Sequence, residues 1–155
     1  MQQSAVAYFT NGRIIVATVS RTASGDTIAT EPKWFGKSAK KAVIAQAIVD
    51  ALSASAIDVA DPTPEQWKRQ FIPFQDAAAV KNFKTFMRDA RRVDLERRDR
   101  FVTLTPFDNL GVNNGFEARD GEGRTAPADD AEAVAGMLLI LLGLRPDIAS
   151  DASPA

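Results

Sequence analysis

The sequence contains no cysteine and no histidine. Without cysteine there is no disulfide framework, no thiolate nucleophile and no zinc–thiolate site. Without histidine the commonest general acid–base group and the usual transition-metal ligand are also missing. Phosphate-cradling loops are absent as well. Neither GxxxxGK[ST] nor GxGxxG occurs, and Asp120-Gly121-Glu122-Gly123-Arg124 sets acids beside its glycines, which would repel phosphate. The longest apolar run, Met137 to Leu142, falls well short of the roughly 20 residues that span a bilayer. The opening MQQSAVAYF has no basic segment leading an apolar one, so no signal peptide is expected and a cytoplasmic location is.

What remains is an ordinary globular composition, 45% hydrophobic and 25% charged over 155 residues, with a formal net charge of −1. That length predicts one domain, over residues 1–146, with a frayed tail at 147–155. The charge is uneven. Sixteen of nineteen basic residues precede Phe107, whereas residues 107–155 carry three basic and nine acidic side chains, a balance of 3 − 9 = −6. Such a last third can present an acidic face to a basic partner.

The pattern of the chain predicts an α+β fold: an antiparallel or mixed β-sheet of about five to six strands, with two main helices plus a short helix packed on it. AVAYF (5–9) and RIIVATV (13–19) flank Thr10-Asn11-Gly12, a strong hairpin signal because Asn-Gly accepts positive φ. A third strand is expected over Thr27 to Thr30. Ser38 is expected to cap a helix from Ala39 to Ser53, whose stripe is Val43, Ile44, Ala47, Ile48, Ala51 and Leu52. Thr63-Pro64-Glu65-Gln66 reads as a capping box with proline at the first helical position. A further helix is expected from Asp76 to Asp89, its apolar face formed by Val80, Phe83, Phe86, Met87 and Ala90.

RRVDLERRDRF (91–101) alternates Val93 and Leu95 with charge, and FVTLTPF (101–107) also alternates, so the two read as a hairpin turning at Arg97-Arg98-Asp99. A short strand at Phe116 to Ala118 follows. Asp129, Asp130 and Glu132 then lead a C-terminal helix that stops near Gly143, with Pro146 beyond. That helix is apolar all round, which suits burial or a homodimer seam.

Three classes of function can be built from these residues. The pairs Asp94/Glu96 and Asp120/Glu122 could offer carboxylates to magnesium for hydrolysis, but each also reads as an ordinary solvated strand or turn. Lys81, Lys84, Arg88, Arg91, Arg92, Arg97, Arg98 and Arg100, interleaved with Phe83, Phe86 and Phe101, could form a nucleic-acid-binding accessory surface over 81–100. Phe83 and Phe86 fit a helix core better, and Asp89, Asp94, Glu96 and Asp99 offset much of the charge, so nucleic acid is the weaker partner. No catalytic constellation forms, and no cofactor or metal is expected.

The order of pieces resembles the immunity proteins of bacterial contact-dependent growth inhibition systems. The resemblance runs through YFTNGRIIVATV, Thr30-Glu31-Pro32 with Trp34-Phe35, DPTPEQWKRQFIPF, AAVKNFKTFMRDA leading into RRVDLERR, NNGFEA, and APADDAEAVAGMLLILL. It implies a cytoplasmic toxin inhibitor, not an enzyme, that binds and occludes the C-terminal toxin domain of a delivered exoprotein, often a nuclease with a basic cleft. On that resemblance the candidate toxin contacts are Asp108, Glu117, Asp120, Glu122, Asp129 and Asp130.

Overall fold

The computed structural model describes residues 2–144; Pro146 and the tail expected at 147–155 lie outside them. Seven antiparallel strands form one sheet: β1 (Gln2–Thr10), β2 (Arg13–Arg21), β3 (Thr27–Gly36), β4 (Arg91–Arg98), β5 (Phe101–Asn109), β6 (Phe116–Ala118) and β7 (Arg124–Pro127). The order is β3-β2-β1-β4-β5, with β6 and β7 dividing the outer edge of β5 between them. Five helices accompany the sheet: α1 (Lys41–Ser53), α2 (Pro64–Arg69), α3 (Ile72–Ala78), α4 (Phe83–Met87) and α5 (Ala131–Leu141).

Two hydrophobic layers follow from the alternation of the strands. On one face Ala5, Ala7, Ile14, Val16, Val93, Leu95, Val102 and Leu104 meet Ile44, Ile48 and Leu52 of α1 and Val134, Leu138 and Leu139 of α5. On the other, Val6, Tyr8, Ile15 and Ala17 meet Phe74, Ala77 and Ala78 of α3 and Phe86 and Met87 of α4. Tyr8 is the hub of the second layer. Its ring lies edge-on to Phe74 at 5.8 Å and to Phe86 at 5.2 Å, and each such pair adds about 0.5–1.5 kcal/mol beyond area burial.

That geometry explains why the helix expected over Asp76–Asp89 is two. Phe74 and Phe86 would stand about 18 Å apart along a continuous helix, at 1.5 Å per residue, yet both must reach one tyrosine. The chain breaks at Ala79, which takes the left-handed conformation (φ 59°). Ala79 N–H then donates to Asp76 O and Val80 N–H to Gln75 O, both at 3.0 Å, a Schellman ending on alanine where glycine is usual. Asn82 restarts the helix by accepting the Thr85 N–H at 2.8 Å.

Other local signals hold. Asn11 and Gly12 both have positive φ in the β1–β2 turn, and the Thr63/Gln66 capping box forms reciprocally. Some expectations differ. Ser38 does not cap α1; Lys40 occupies that position without a side-chain bond, because the chain turns earlier through an Ala39 N–H to Gly36 O bond. Val43 leaves the apolar stripe and is 47% exposed. β3 runs six residues past Thr30 by bulging at Glu31 (φ 53°) and Pro32. A proline is tolerated there because β3 is an edge strand. β7, where no strand is expected from the sequence, pairs with β5 and buries only Ala126.

α5 carries matched ends. Asp130 Oδ1 accepts the Ala133 N–H at 3.1 Å. At the other end Gly143 (φ 80°) and Leu144 close a Schellman motif onto Ile140 O and Leu139 O. Arg91 reaches from β4 to donate to Leu142 O at 2.8 Å, placing a cation at the negative end of the helix dipole.

The two Schellman endings make opposite predictions. Ala79→Gly relieves left-handed strain at an exposed position and should stabilise by roughly 0.5–1 kcal/mol, raising Tm by about 1–3 °C. Gly143→Ala adds that strain and drives a methyl into the Arg91 guanidinium, so it should destabilise by about 1–3 kcal/mol. Thermal unfolding of both variants checks the signs. Burial also pushes the Tyr8 phenol up, with the Asp94 charge adding to this and Arg92 opposing it. A folded pKa above the unfolded one means that stability is full below about pH 10 and falls as pH rises through the folded value. Tyr8 is the only tyrosine, so ultraviolet titration should show phenolate appearing above that pH in the native protein and near it in denaturant.

Candidate functional site

The segment RRVDLERR lies on β4, where Val93 and Leu95 are buried under α1 and α5. Arg92, Asp94 and Glu96 point to the opposite face, beyond the reach of α3 and α4. With Tyr8, Thr103 and Thr105 they line a depression of about 480 Å³ on the uncovered part of the sheet. The Gln70 side-chain oxygen is buried at this depression and has no hydrogen-bond donor among the described residues. The charges inside are already matched. Arg92 grips Asp94 bidentately, Nε to Oδ1 at 2.8 Å and Nη2 to Oδ2 at 3.0 Å. Its guanidinium centre lies 4.4 Å from the Phe107 ring centroid. Burial pulls the Arg92 pKa down, but the Asp94 hydrogen bonds and charge outweigh it and hold the group above its ordinary value. Glu96 meets Arg98 at 3.2 Å and accepts from Gln2. Asp94 and Glu96, the first of the pairs weighed as magnesium ligands, therefore each hold an arginine. No group of three or more metal-ligating side chains exists among the described residues.

The six acids singled out from the sequence fall into two groups at opposite ends of β5. Asp108 and Glu117 are directly opposed on β5 and β6, an unfavourable like-charge pairing. Arg119 offsets it, donating to Asp108 at 2.8 Å and to Glu122 at 3.3 Å. The Glu122 bond does most to raise the Arg119 pKa above its ordinary value, with Asp108 adding to it and desolvation opposing. Asp120 is exposed in the adjoining turn. The other two lie by the start of β5, about 23 Å away at 3.3 Å per residue. There Asp130 caps α5, and Asp129 shares a shallow depression with Arg97, Arg100 and Phe101. Glu117, Asp120 and Asp129 are the members whose side chains form no hydrogen bond or ion pair among the described residues.

The basic segment 81–100 is likewise divided. Arg91 turns to the C-terminus of α5, Arg92 into the open sheet face, and Arg97, Arg98 and Arg100 to the β4–β5 turn, where Asp99 has φ 54°. Phe86 is fully buried, whereas Phe83 and Phe101 are 38% and 54% exposed. These side chains do not share one track. The open sheet face went unread in the sequence because it depends on where α3 and α4 stop. Its signal was the alternation of Arg92, Asp94 and Glu96 with the buried Val93 and Leu95.

No helix among the described residues is long and apolar enough to cross a membrane. No protein-family model and no curated protein sequence matches the chain. Two of the solved structures that share its fold are informative. A protein of unknown function from Neisseria meningitidis is 14% identical, with a TM-score of 0.74 over 92% of this chain and 93% of that one. The CdiA-CT/CdiI toxin and immunity complex from Yersinia pseudotuberculosis contains a chain 13% identical, with a TM-score of 0.74 over 92% of this chain and 95% of its own length. At these identities the likeness is one of fold.

Proposed function

We propose that this chain is an immunity protein of a contact-dependent growth inhibition system, which binds a cognate toxin domain and blocks it by occlusion. The observation that carries the reading is the nearly end-to-end fold match to a chain of a toxin and immunity complex. It agrees with the resemblance in the order of sequence pieces. On this reading the chain performs no chemistry of its own and acts in the cytoplasm, where a delivered toxin would meet it. The toxin is a nuclease whose basic cleft the acidic β5–β6 edge enters, competing with nucleic-acid phosphates and steering the encounter.

Within that edge the acids have unequal roles. Glu117 and Asp120 are free to meet a basic partner. Asp108 and Glu122 are held in place by Arg119. Asp130, at the other end of β5, serves the helix, so its loss acts on stability first.

Co-expression with the C-terminal domain of the neighbouring exoprotein should protect cells from growth arrest. Glu117→Lys with Asp120→Lys should weaken the purified complex about tenfold to a hundredfold, mostly through the association rate. Asp130→Ala should instead lower unfolding stability by about 1 kcal/mol and leave affinity per folded molecule unchanged. Absence of protection, or growth arrest caused by this chain expressed alone, would defeat the reading.

A further inference from the structure

The depression on the uncovered part of the sheet collects polar atoms that the fold leaves without partners. Tyr8 lines it and is only 8% exposed, yet its hydroxyl makes no hydrogen bond among the described residues. Gln70, at the C-terminal end of α2, adds the buried side-chain oxygen that lacks a donor. Ser4, Thr103 and Thr105 contribute further hydroxyls, also unpartnered among the described residues. The strand register sets these groups on one floor: one row runs Ala29, Val19, Ser4, Glu96, Thr103, and the next carries Val6, Asp94 and Thr105. Native structures retain few polar atoms that are both buried and unmet, so two beside one depression point to a group that meets them.

Charge, hydrogen bonding and shape each select that group. Arg21 and Arg92 stand against Asp94 and Glu96, a balance of 2 − 2 = 0. Arg92, Asp94 and Glu96 are each held in an ion pair, which leaves only the exposed Arg21 outside them. An ion entering beside Tyr8 would lose its water without gaining a free counter-charge. The Gln70 oxygen only accepts, whereas the four hydroxyls both donate and accept, so the ligand must carry N–H or O–H groups together with acceptors. Between them Val6, Val19 and Ala29 offer small apolar surface. A sugar ring without net charge combines these properties, with hydroxyls around its rim and C–H groups on its faces. The volume of about 480 Å³ lies within the roughly 300–1,000 Å³ of small-molecule sites. We propose that this depression binds a neutral sugar, with Tyr8 and Gln70 as its anchoring residues. The site is separate from the acidic edge: Phe107 faces the depression, so alternation sends its neighbour Asp108, and the opposed Glu117, to the other face of the sheet.

Nuclear magnetic resonance titration of the labelled full chain tests this, read at the Gln70 side-chain amide and the backbone amides of Val6 and Asp94. N-acetylglucosamine should shift these signals saturably in the millimolar range. Glucosamine and glucuronate, which place an ammonium or a carboxylate on the same ring, should bind about tenfold more weakly. Uridine, tested alongside, separates a free sugar from the ribose of a nucleoside, and saturable binding of either supports the site. Tyr8→Phe keeps the ring packing and removes only the hydroxyl, so it should weaken binding about tenfold. Gln70→Leu should weaken it at least as much while leaving Tm unchanged or raised, because an apolar group of similar size replaces an unmet polar atom. Several results would overturn the proposal: no saturable shift with any neutral probe, the depression then holding water alone; equal binding of the charged sugars; undiminished binding in either variant; or a lowered Tm for Gln70→Leu, which would mark a purely structural role. No partner protein enters these measurements, so their outcome is independent of the toxin-binding reading.

Discussion

Burial of β1 and β2 on both faces is the constraint around which the molecule is arranged. Ala5, Val6, Ala7 and Tyr8 are consecutively buried, as are Ile14, Ile15, Val16 and Ala17. Successive strand residues face opposite sides, so these runs need apolar cover above and below. α1 and α5 supply one side as two amphipathic helices packed together. The other side must come from the chain between α1 and β4. It yields only short helices, folded back so that their aromatics converge on Tyr8. That is enough to cover the Tyr8 end of the sheet and no more. The remaining half is polar because nothing is left to bury it.

The same economy governs the arginines. Arg13 stacks on Trp34 at 3.8 Å and donates to Ala77 O at 2.9 Å, fastening α3 to the first hairpin. Arg91 fastens the end of α5 to β4, Arg92 braces Asp94 against Phe107, and Arg119 clamps the β6 turn to β5. A string of basic residues in sequence is therefore no measure of basic surface. RRVDLERR carries four arginines, yet they leave the strand in different directions and three of them are fixed to another element or to an acid.

Most local signals in the sequence were sound where the residues deciding the structure are neighbours, although Ser38 loses the α1 cap to the turn at Gly36–Ala39. Asn11-Gly12, the Thr63–Gln66 box, the Val93/Leu95 alternation and the acids ahead of α5 all act within a few positions. The larger failures came where a distant partner decides. Nothing near Ala79 announces a left-handed residue; the break is imposed by the need to bring Phe74 and Phe86 to one ring. β7 has a single buried side chain, Ala126, and exists because β5 offers an unpaired edge beyond β6. The site was legible in residue type but not in pairing. Asp108, Glu122 and Asp130 look alike in sequence, and only the fold shows that two are held by Arg119 and the third by a helix N-terminus.

That pairing bears on how an acidic edge can grip a partner. Exposed ion pairs contribute about 0.2–1 kcal/mol, so exchanging Arg119 for a partner's arginine changes the free energy of Asp108 and Glu122 very little. What Arg119 contributes is order: it immobilises two carboxylates before any partner arrives and lowers the entropy lost on docking. Net attraction must then come from acids without an internal cation, Glu117 and Asp120, and from apolar contacts beside them such as Leu110 and Val112. The frame that positions these residues is shared with structures only 13–14% identical. A sheet of this kind tolerates wide exchange of side chains so long as its buried alternation survives, which leaves the exposed edge free to differ between proteins of one fold. On the proposed function, discrimination among toxins resides in those few unpaired edge residues and not in the architecture that carries them.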